Sequence, residues 1–245
     1  MTSWLGIGDA STYDWGRKFD LIVADPPYNI GIEYDGPCKD DRPEAVFEAW
    51  MQAWLWNAFK HLADRGSMWV VINHENADTV YRTLHRECGL EWRNTVTWYE
   101  SFGTQTEGKF ARRSRQLMYF RQRAGGVWNP PMTLSARQLI YGDRRAKAEG
   151  CVMGDVWTDI PRVCGTHSER VPGVPTQLPE RLVLRMVRAT SNPGDAVLDP
   201  FVGSGTTGVV CRREGRGFWG LDLSAKYVNI ARGRIHCTPE TPYEE

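Results

Sequence analysis

The chain has 245 residues, enough for one substantial α/β domain with an insertion and short for two independent domains. Lys plus Arg and Asp plus Glu each total 30, so the net charge is zero; this argues against a non-specific basic coat for nucleic acid but leaves a local basic surface open. At 41% hydrophobic and 24% charged residues the sequence is neither disordered nor fibrous, and its 11 Trp suit either a large core or flat stacking surfaces.

Cys38, Cys88, Cys151, Cys164, Cys211 and Cys237 are scattered without a Cys-x-x-Cys pair, and the His residues form no ligand spacing. No metal site is expected, and reduced thiols in a cytosolic compartment are the default. Met1 to Gly6 lacks a basic region followed by an apolar stretch, so no signal peptide is read. Apolar runs are far shorter than the ~20 residues that span a bilayer, and no membrane partner is expected.

In chain order, Phe19 to Ala24 is a short apolar run ending at a Pro pair, the pattern of a buried strand. Asp41-x-x-Glu44 resembles a capping box. The helix it would open carries Phe47, Trp50, Met51, Trp54, Leu55, Ala58, Phe59 and Leu62 at helical spacing, with Gly66 as its stop. Met68 to Ile72 reads as the next buried strand, His74 to Cys88 as a helix, and Thr95 to Tyr99 and Leu117 to Phe120 as strands. Residues 101–166, rich in Gly, Arg, Gln and Pro with weak periodicity, read as an insertion carrying specificity rather than a core layer. Regularity then returns with a helix from Glu180 to Ser191, a strand from Ala196 to Asp199 and a helix from Thr206 to Glu214. Gly217 to Leu221 follows as a strand, and Ser224 caps a helix to about Ile235. Alternating strands and helices predict a mostly parallel sheet covered on both faces. Residues 1–100 and 167–245 would form two halves of one domain, with 101–166 inserted between them.

Two turns carry chemistry. Val197 to Thr207 runs from strand through a Gly-rich turn into a helix start, the order of a nucleotide-type site. About 20 residues beyond that turn, Asp222 ends the next strand, where an acid can accept from ribose hydroxyls. Gly203-x-Gly205-x-x-Gly208 has dinucleotide spacing, and no Lys-Ser/Thr follows to make a P-loop. Asp199, two residues before Phe201, favours a ligand with an ammonium group, such as the methionine end of S-adenosylmethionine, over a pyrophosphate. The bland alternative is a tight turn plus a solvated Asp. The second turn, Asp25-Pro26-Pro27-Tyr28, directly follows a buried strand. Its prolines remove two backbone donors, leaving carbonyls and a carboxylate as a rigid acceptor cluster for an amino group, with the Tyr28 ring for stacking. Read alone, it could be a stiffened turn with a surface acid.

Together, these residues resemble the β class of amino-DNA methyltransferases, in which the catalytic motif precedes the cofactor motif. Asp25-Pro26-Pro27-Tyr28-Asn29 is similar to the catalytic motif, Asp199 to Thr206 to the cofactor motif, and Leu221-Asp222 to the ribose-binding acid. Pro175 to Glu180 resembles a Pro-Thr-Gln-Lys-Pro-Glu segment lining the methionine end, with Leu178 in place of Lys; Gly8-Asp9-Ala10 resembles a segment whose acid contacts the adenine amine. The resemblance implies a Rossmann-like S-adenosylmethionine-dependent methyltransferase fold with a seven-stranded sheet. It implies catalysis by Asp25, Pro26, Pro27 and Tyr28 on an adenine N6 amino group of double-stranded DNA, in a bacterial or phage-infected cell. S-adenosylmethionine would be held by Asp9, Ala10, Asp25, Thr176, Asp199, Pro200, Phe201, Gly203, Ser204, Gly205, Thr206, Asp222 and Leu223.

Lys109, Arg112, Arg113, Arg115, Arg121 and Arg123 cluster among Phe110, Tyr119 and Phe120. The first four are expected to meet DNA phosphates, with Gln105 and Gln116 available for base edges. A solvated basic loop is the bland reading. So short an insertion suggests a short DNA site or action as a homodimer. Cys38 follows a Pro, as a carbon-5 methylating thiolate would, but its polar surroundings read as a loop. The competing functions are N4-cytosine methylation on the same fold, an idle DNA-binding module, and a dinucleotide-dependent oxidoreductase. Asp25 favours adenine by the family pattern.

Overall fold

The computed structural model describes residues 2–100, 103, 107–134, 136–145, 147 and 150–244. Strand β1 (Ser3–Ile7) precedes β2 (Phe19–Ala24), α1 (Glu44–Lys60) and β3 (Leu62–Ile72). A helical stretch follows as a 3-10 turn (His74–Asn76), α2 (Ala77–Tyr81) and a π turn (Arg82–Glu87). Next come β4 (Glu91–Tyr99), β5 (Ser114–Arg121), β6 (Met132–Thr133), α3 (Ala136–Tyr141), β7 (Cys151–Val152) and β8 (Val156–Trp157). The chain closes with α4 (Glu180–Thr190), β9 (Ala196–Asp199), α5 (Thr206–Arg213), β10 (Gly217–Asp222) and α6 (Ala225–Cys237).

The main sheet has the order β1-β10-β9-β2-β3-β5-β4-β8. Only β5 runs against its neighbours β3 and β4; the other pairings are parallel. This is the mostly parallel sheet read from the sequence, with eight strands in place of seven because two-residue β8 joins the edge. Alternation along each strand splits the core in two. Leu21, Val23, Trp69 and Val71 pack with Leu182, Met186, Val210 and Ala231 of α4, α5 and α6. Ile22, Ala24, Met68 and Val70 pack with Met51, Trp54, Leu55 and Val80 of α1 and α2. Helices therefore cover both faces.

Four local expectations need correction. The capping box does not form: Pro43 takes the N-cap position with φ −53° and no side-chain cap, and its carbonyl accepts from the Val46 and Phe47 N–H groups. Gly66 lies inside β3, where the register against β2 jumps between Phe19↔Leu62 and Leu21↔Ser67; a side chain there would strike Leu62. The glycine marks a bulge, and α1 has already ended at Lys60. The stretch from His74 changes helical geometry twice rather than running as one α-helix. Residues 101–166 do contribute to the core, since β5 is an inner strand with Leu117 to Phe120 buried, and Trp157, Ile160 and Val163 are buried as well.

Candidate active site

Parallel strands bring the motifs to one edge. The registers Ile7↔Asp222 and Gly220↔Asp199 align the ends of β1, β10 and β9, while Ala24↔Val70 aligns β2 with β3. β9 and β2 are neighbours, although the motifs that end them are far apart in sequence. From this pair the chain continues to β10 on one side and to β3 on the other, which opens a crevice at a topological switch point.

A cleft of about 850 Å³ occupies that crevice. Asp9, Ala10, Asp25, Thr176, Asp199, Pro200, Phe201, Gly203, Ser204, Thr206, Asp222 and Leu223 line it, as does Pro27. Gly205 alone of the expected cofactor residues is not in its wall. Gly205 sits at the N-cap of α5 with φ 81°, and an added Cβ would fall 2.8 Å from that of Ala231 on α6. Its task is to let the turn close against α6. The Gly203 N–H is also not free for a ligand: it donates to Asp222 Oδ2 at 2.9 Å, fixing the acid of one motif on the glycine of the other. The Leu178 carbonyl accepts from Thr206 Oγ1 at 3.2 Å. Arg234 of α6 ties the same turn to Glu180, donating to Thr206 Oγ1 at 3.0 Å and to Glu180 Oε1 at 2.6 Å.

Sequence reading missed several wall residues, including Tyr34, Cys38, Trp50, Val174 and Tyr227. Trp50 belonged to the apolar stripe of α1, and nothing local distinguishes it from Trp54. In space the Phe201 ring stands nearly edge-on to Trp50 at 5.9 Å and to Trp54 at 5.0 Å, giving the cleft an aromatic wall.

The electrostatics of the cleft are one-sided. Among the described residues its wall holds Asp9, Asp25, Asp199 and Asp222 but no Lys, Arg or His. Burial pushes Asp199 up to about 7, although it accepts from Thr207 Oγ1 at 2.6 Å and the Phe201 N–H at 3.0 Å. Burial raises Asp222 too, against N–H donors from Ser224 and Gly203. Such a cleft favours a cationic ligand and opposes a pyrophosphate. Burial likewise pushes the Cys38 thiol up to about 11, opposite to the activation a nucleophilic thiolate needs.

A second, wider cavity of about 2170 Å³ adjoins the first and shares Asp25, Tyr34 and Thr176 with it. Pro26 and Tyr28 face this side. Tyr28 is buried, and its hydroxyl donates to Asp25 Oδ1 at 2.5 Å. Burial raises the Asp25 carboxyl above its ordinary range; Arg115 and the Tyr28 hydrogen bond oppose that rise and Glu100 adds to it. Asn29, at φ 62°, turns the chain sharply after the motif. Buried Asp40 holds this turn by accepting from the N–H groups of Asn29, Ile30 and Ile32 at 2.6, 3.1 and 2.9 Å. At the end of β3, buried Asn73 presents an Oδ1 with no partner among the described residues and lines the same cavity.

The basic cluster divides. Lys109, Arg112, Arg113 and Arg115 line the wide cavity. Arg121 lies at the far end of β5, opposite Ser67 and ion-paired with Glu91 at 2.8 Å, and Arg123 donates to the Gly89 carbonyl. Arg115 is not an exposed phosphate ligand, since only 12% of its side chain is accessible. Gln116 pairs with Ile72 and Thr97 inside the sheet, while Gln105 lies outside the described residues. No His, Cys, Asp and Glu grouping that could hold a metal occurs among the described residues, and no described helix is long and apolar enough to cross a membrane.

Comparison with known proteins agrees with this fold. The DNA methyltransferase of PvuII, a cytosine-N4-specific enzyme, superposes with a TM-score of 0.73 over 96% of this chain and 86% of its own, at 15% identity. The M1.HpyAVI structure in complex with SAM superposes with a TM-score of 0.64 over 95% of this chain and all of that chain, at 19% identity. The DNA adenine methyltransferase YhdJ of Escherichia coli K12 is 32% identical over 246 aligned positions, covering 94% of this chain and 80% of that protein. Residues 19–233 match the DNA methylase family of N6- and N4-methyltransferases, and the chain belongs to that family.

Proposed function

We propose that the chain transfers a methyl group from S-adenosylmethionine to the N6 amino group of adenine in double-stranded DNA, acting on a base flipped out of the helix. One observation carries the reading: Asp25 stands in the wall common to an acid-lined cleft, without basic residues among the described ones, and a wide cavity bordered by Lys109, Arg112 and Arg113. The narrow cleft fits a ligand bearing an ammonium and a sulfonium. In it, Asp199 faces the methionine end, Asp222 the ribose and Asp9 the adenine amine, with Phe201 and Trp50 against the ring. S-adenosylmethionine, once bound, supplies an electrophilic methyl group.

The chain supplies position and polarity. An exocyclic amino nitrogen is a weak nucleophile because its lone pair is conjugated with the ring. The Asp25 carboxylate and the Pro26 carbonyl accept the two amino hydrogens and favour a more tetrahedral nitrogen. Tyr28 stacks on the extruded base, which offsets part of the few kcal/mol that flipping costs. Lys109, Arg112 and Arg113 hold phosphates at the rim.

Asp25→Ala is the decisive variant: methyl transfer is expected to vanish while S-adenosylmethionine binding persists. Robust methylation by it would exclude the assignment. N4-cytosine methylation is the second reading, favoured by the fold shared with the PvuII enzyme. Asp at the first motif position and the similarity to an adenine methyltransferase support adenine instead. Digestion of methylated DNA to nucleosides identifies the modified base. The acid-lined cleft speaks against a dinucleotide oxidoreductase, and nicotinamide cofactor binding would revive that reading. Transfer of label from S-adenosylmethionine to DNA distinguishes an enzyme from an idle binding module.

A further inference from the structure

We propose that Arg115 is a positioning residue of the target-base pocket: its guanidinium, anchored on Glu100, fixes the Tyr28 side chain and keeps a positive charge beside Asp25. The role deepens the proposed methyl transfer and rests on that reading for its activity readout.

The residue belongs to a basic stretch, yet its setting differs from that of its neighbours. Lys109, Arg112 and Arg113 are exposed, whereas the Arg115 side chain is almost enclosed. β5 begins at Ser114, and Arg115 pairs across the ladder with Trp98 of β4. Its guanidinium lies 5.6 Å from the Trp98 ring centroid and 5.3 Å from that of Tyr28. Nε stands 3.1 Å from Glu100 Oε1, and a terminal nitrogen donates to the Tyr28 hydroxyl oxygen at 3.3 Å. Tyr28 passes the link on by donating to Asp25 at 2.5 Å. An ion contact from Glu100 to Arg115 and two hydrogen bonds, Arg115 to Tyr28 and Tyr28 to Asp25, thus connect the residue after β4, β5 and the turn after β2. Arg162 approaches the same Glu100 oxygen at 3.9 Å and flanks the anchor.

This arrangement suits fixation better than DNA contact. Moving Arg115 out to a phosphate would take the nearer cation from the Glu100 carboxylate, which is only 8% accessible, and leave it Arg162 at 3.9 Å. Burial works against the charge on Arg115, but Tyr28, Asp25 and Glu100 outweigh it and keep the guanidinium protonated. The planar group also lies close enough to the Tyr28 ring for a cation–π contact, which restrains the surface expected to meet a base.

The charge pattern around Asp25 makes the role testable. Asp25 faces Tyr28 in its own turn, Arg115 of β5, Glu100 after β4, Asp199 at the end of β9 and Tyr34 in the loop beyond the motif. Arg162, His74, Lys109, Arg112 and Arg113 border the cavity farther out. Losing the Arg115 cation must make Asp25 harder to ionise. Losing the Glu100 charge must make it easier, both directly and by leaving Arg115 unshared. Two variants that break the same ion pair should therefore move Asp25 in opposite directions, which mere loss of packing would not do.

The test is a carboxyl-carbon NMR titration of the full chain carrying labelled aspartate, with the Asp25 signal assigned through Asp25→Asn. Arg115→Gln is expected to raise the Asp25 midpoint by about one pH unit or more, Arg115→Lys to restore most of the difference, and Glu100→Gln to lower it. The acid limb of kcat/KM for methyl transfer should follow the same order. An unmoved midpoint in Arg115→Gln, or shifts of one sign in Arg115→Gln and Glu100→Gln, overturns the role. If circular dichroism shows Arg115→Gln unfolded, Glu100→Gln decides: a lowered midpoint supports the role and an unchanged or raised one overturns it. Absence of methyl transfer by the unaltered chain would defeat the proposed function, while the NMR midpoints would still judge Arg115.

Discussion

The hydroxyl of Tyr28 donates to Oδ1 of Asp25 across 2.5 Å, so the acceptor expected to take an amino hydrogen of the base already has a donor. A base entering the wide cavity competes with that hydroxyl only at Oδ1, which leaves Oδ2 to accept an amino hydrogen while the ring stays in place. Tyr28→Phe separates the two functions. It removes the competing donor and retains the stacking face, so kcat/KM is expected to change by no more than roughly 10- to 150-fold, the ~1.5–3 kcal/mol of one hydrogen bond to a charged group. Tyr28→Ala also loses the stack, worth ~1–3 kcal/mol, and should weaken binding of a fluorescent base analogue by roughly 5- to 150-fold. Equal damage from both variants would assign the effect to the hydroxyl. The hydrogen bond lowers the Asp25 pKa, so the acid limb of Tyr28→Phe should also move upward.

The second expectation concerns pH and the cofactor cleft. Asp199 is held up to about 7 by burial, above its ordinary carboxylate value of 3.8. The ligand-free fold therefore binds a proton that the unfolded chain releases, and its stability should decline as pH rises from the ordinary carboxylate range through about 7. A ligand with an ammonium group favours ionised Asp199, so affinity should run the other way. From pH 6 to about 7.5 the Kd for S-adenosylmethionine should fall several-fold, and it should rise again at higher pH as the ligand's own ammonium deprotonates. Asp199→Asn should flatten the profile at weak affinity. Calorimetric titration across this range reads both effects, and a pH-independent Kd for the unaltered chain would remove Asp199 from the ammonium-binding role.

The limits of sequence reading follow from what is local and what is not. Phe19 to Ala24 and Ala196 to Asp199 were legible because each is an apolar run stopped by a proline, and the turns after them carry most of the candidate site. β1 was missed because Ser3–Ile7 is a half-exposed edge strand whose pattern makes sense only beside β10. Asp40 gave no signal either, since its three backbone donors gather only when the Asn29 turn folds back. Arg115 was legible as a charge and illegible as an almost enclosed one. The motif supplied the site, and the strand order supplied its partners.

The same distinction yields a third expectation, on DNA binding. Arg113 and Arg121 are close in sequence, but a strand rises ~3.3 Å per residue, so Arg113 just before β5 and Arg121 at its end flank opposite ends of that strand. Neutralising Arg112 and Arg113 together should weaken DNA binding and reduce the slope of log K against log salt by about 2, the loss of two phosphate contacts. Neutralising Arg121 and Arg123 should leave that slope unchanged, whatever it does to stability through Glu91. Fluorescence anisotropy over a salt series measures both. Equal slopes in the two double variants would mean that the wide cavity is not the DNA-facing side.

The last expectation isolates backbone geometry from chemistry. Gly205 contributes no wall to the cofactor cleft, yet it sets the start of α5 at φ 81° and leaves no room for a Cβ beside Ala231. Gly205→Ala meets both obstacles at once. The left-handed conformation costs about 1 kcal/mol or more for a residue with a Cβ, and the contact with α6 adds strain that a backbone shift must relieve. That shift would move Thr206, and with it the links to Leu178 and Arg234 that hold the turn. The variant should unfold at lower denaturant, by roughly 2–3 kcal/mol, and bind S-adenosylmethionine more weakly even where it remains folded. Ala231→Gly in the same chain removes the Cβ contact but leaves the Ala231 Cα 2.9 Å from the added Cβ and the backbone preference untouched, so it should recover only part of the stability. Full recovery would show that crowding against α6, and not the left-handed turn, is what requires glycine at this position.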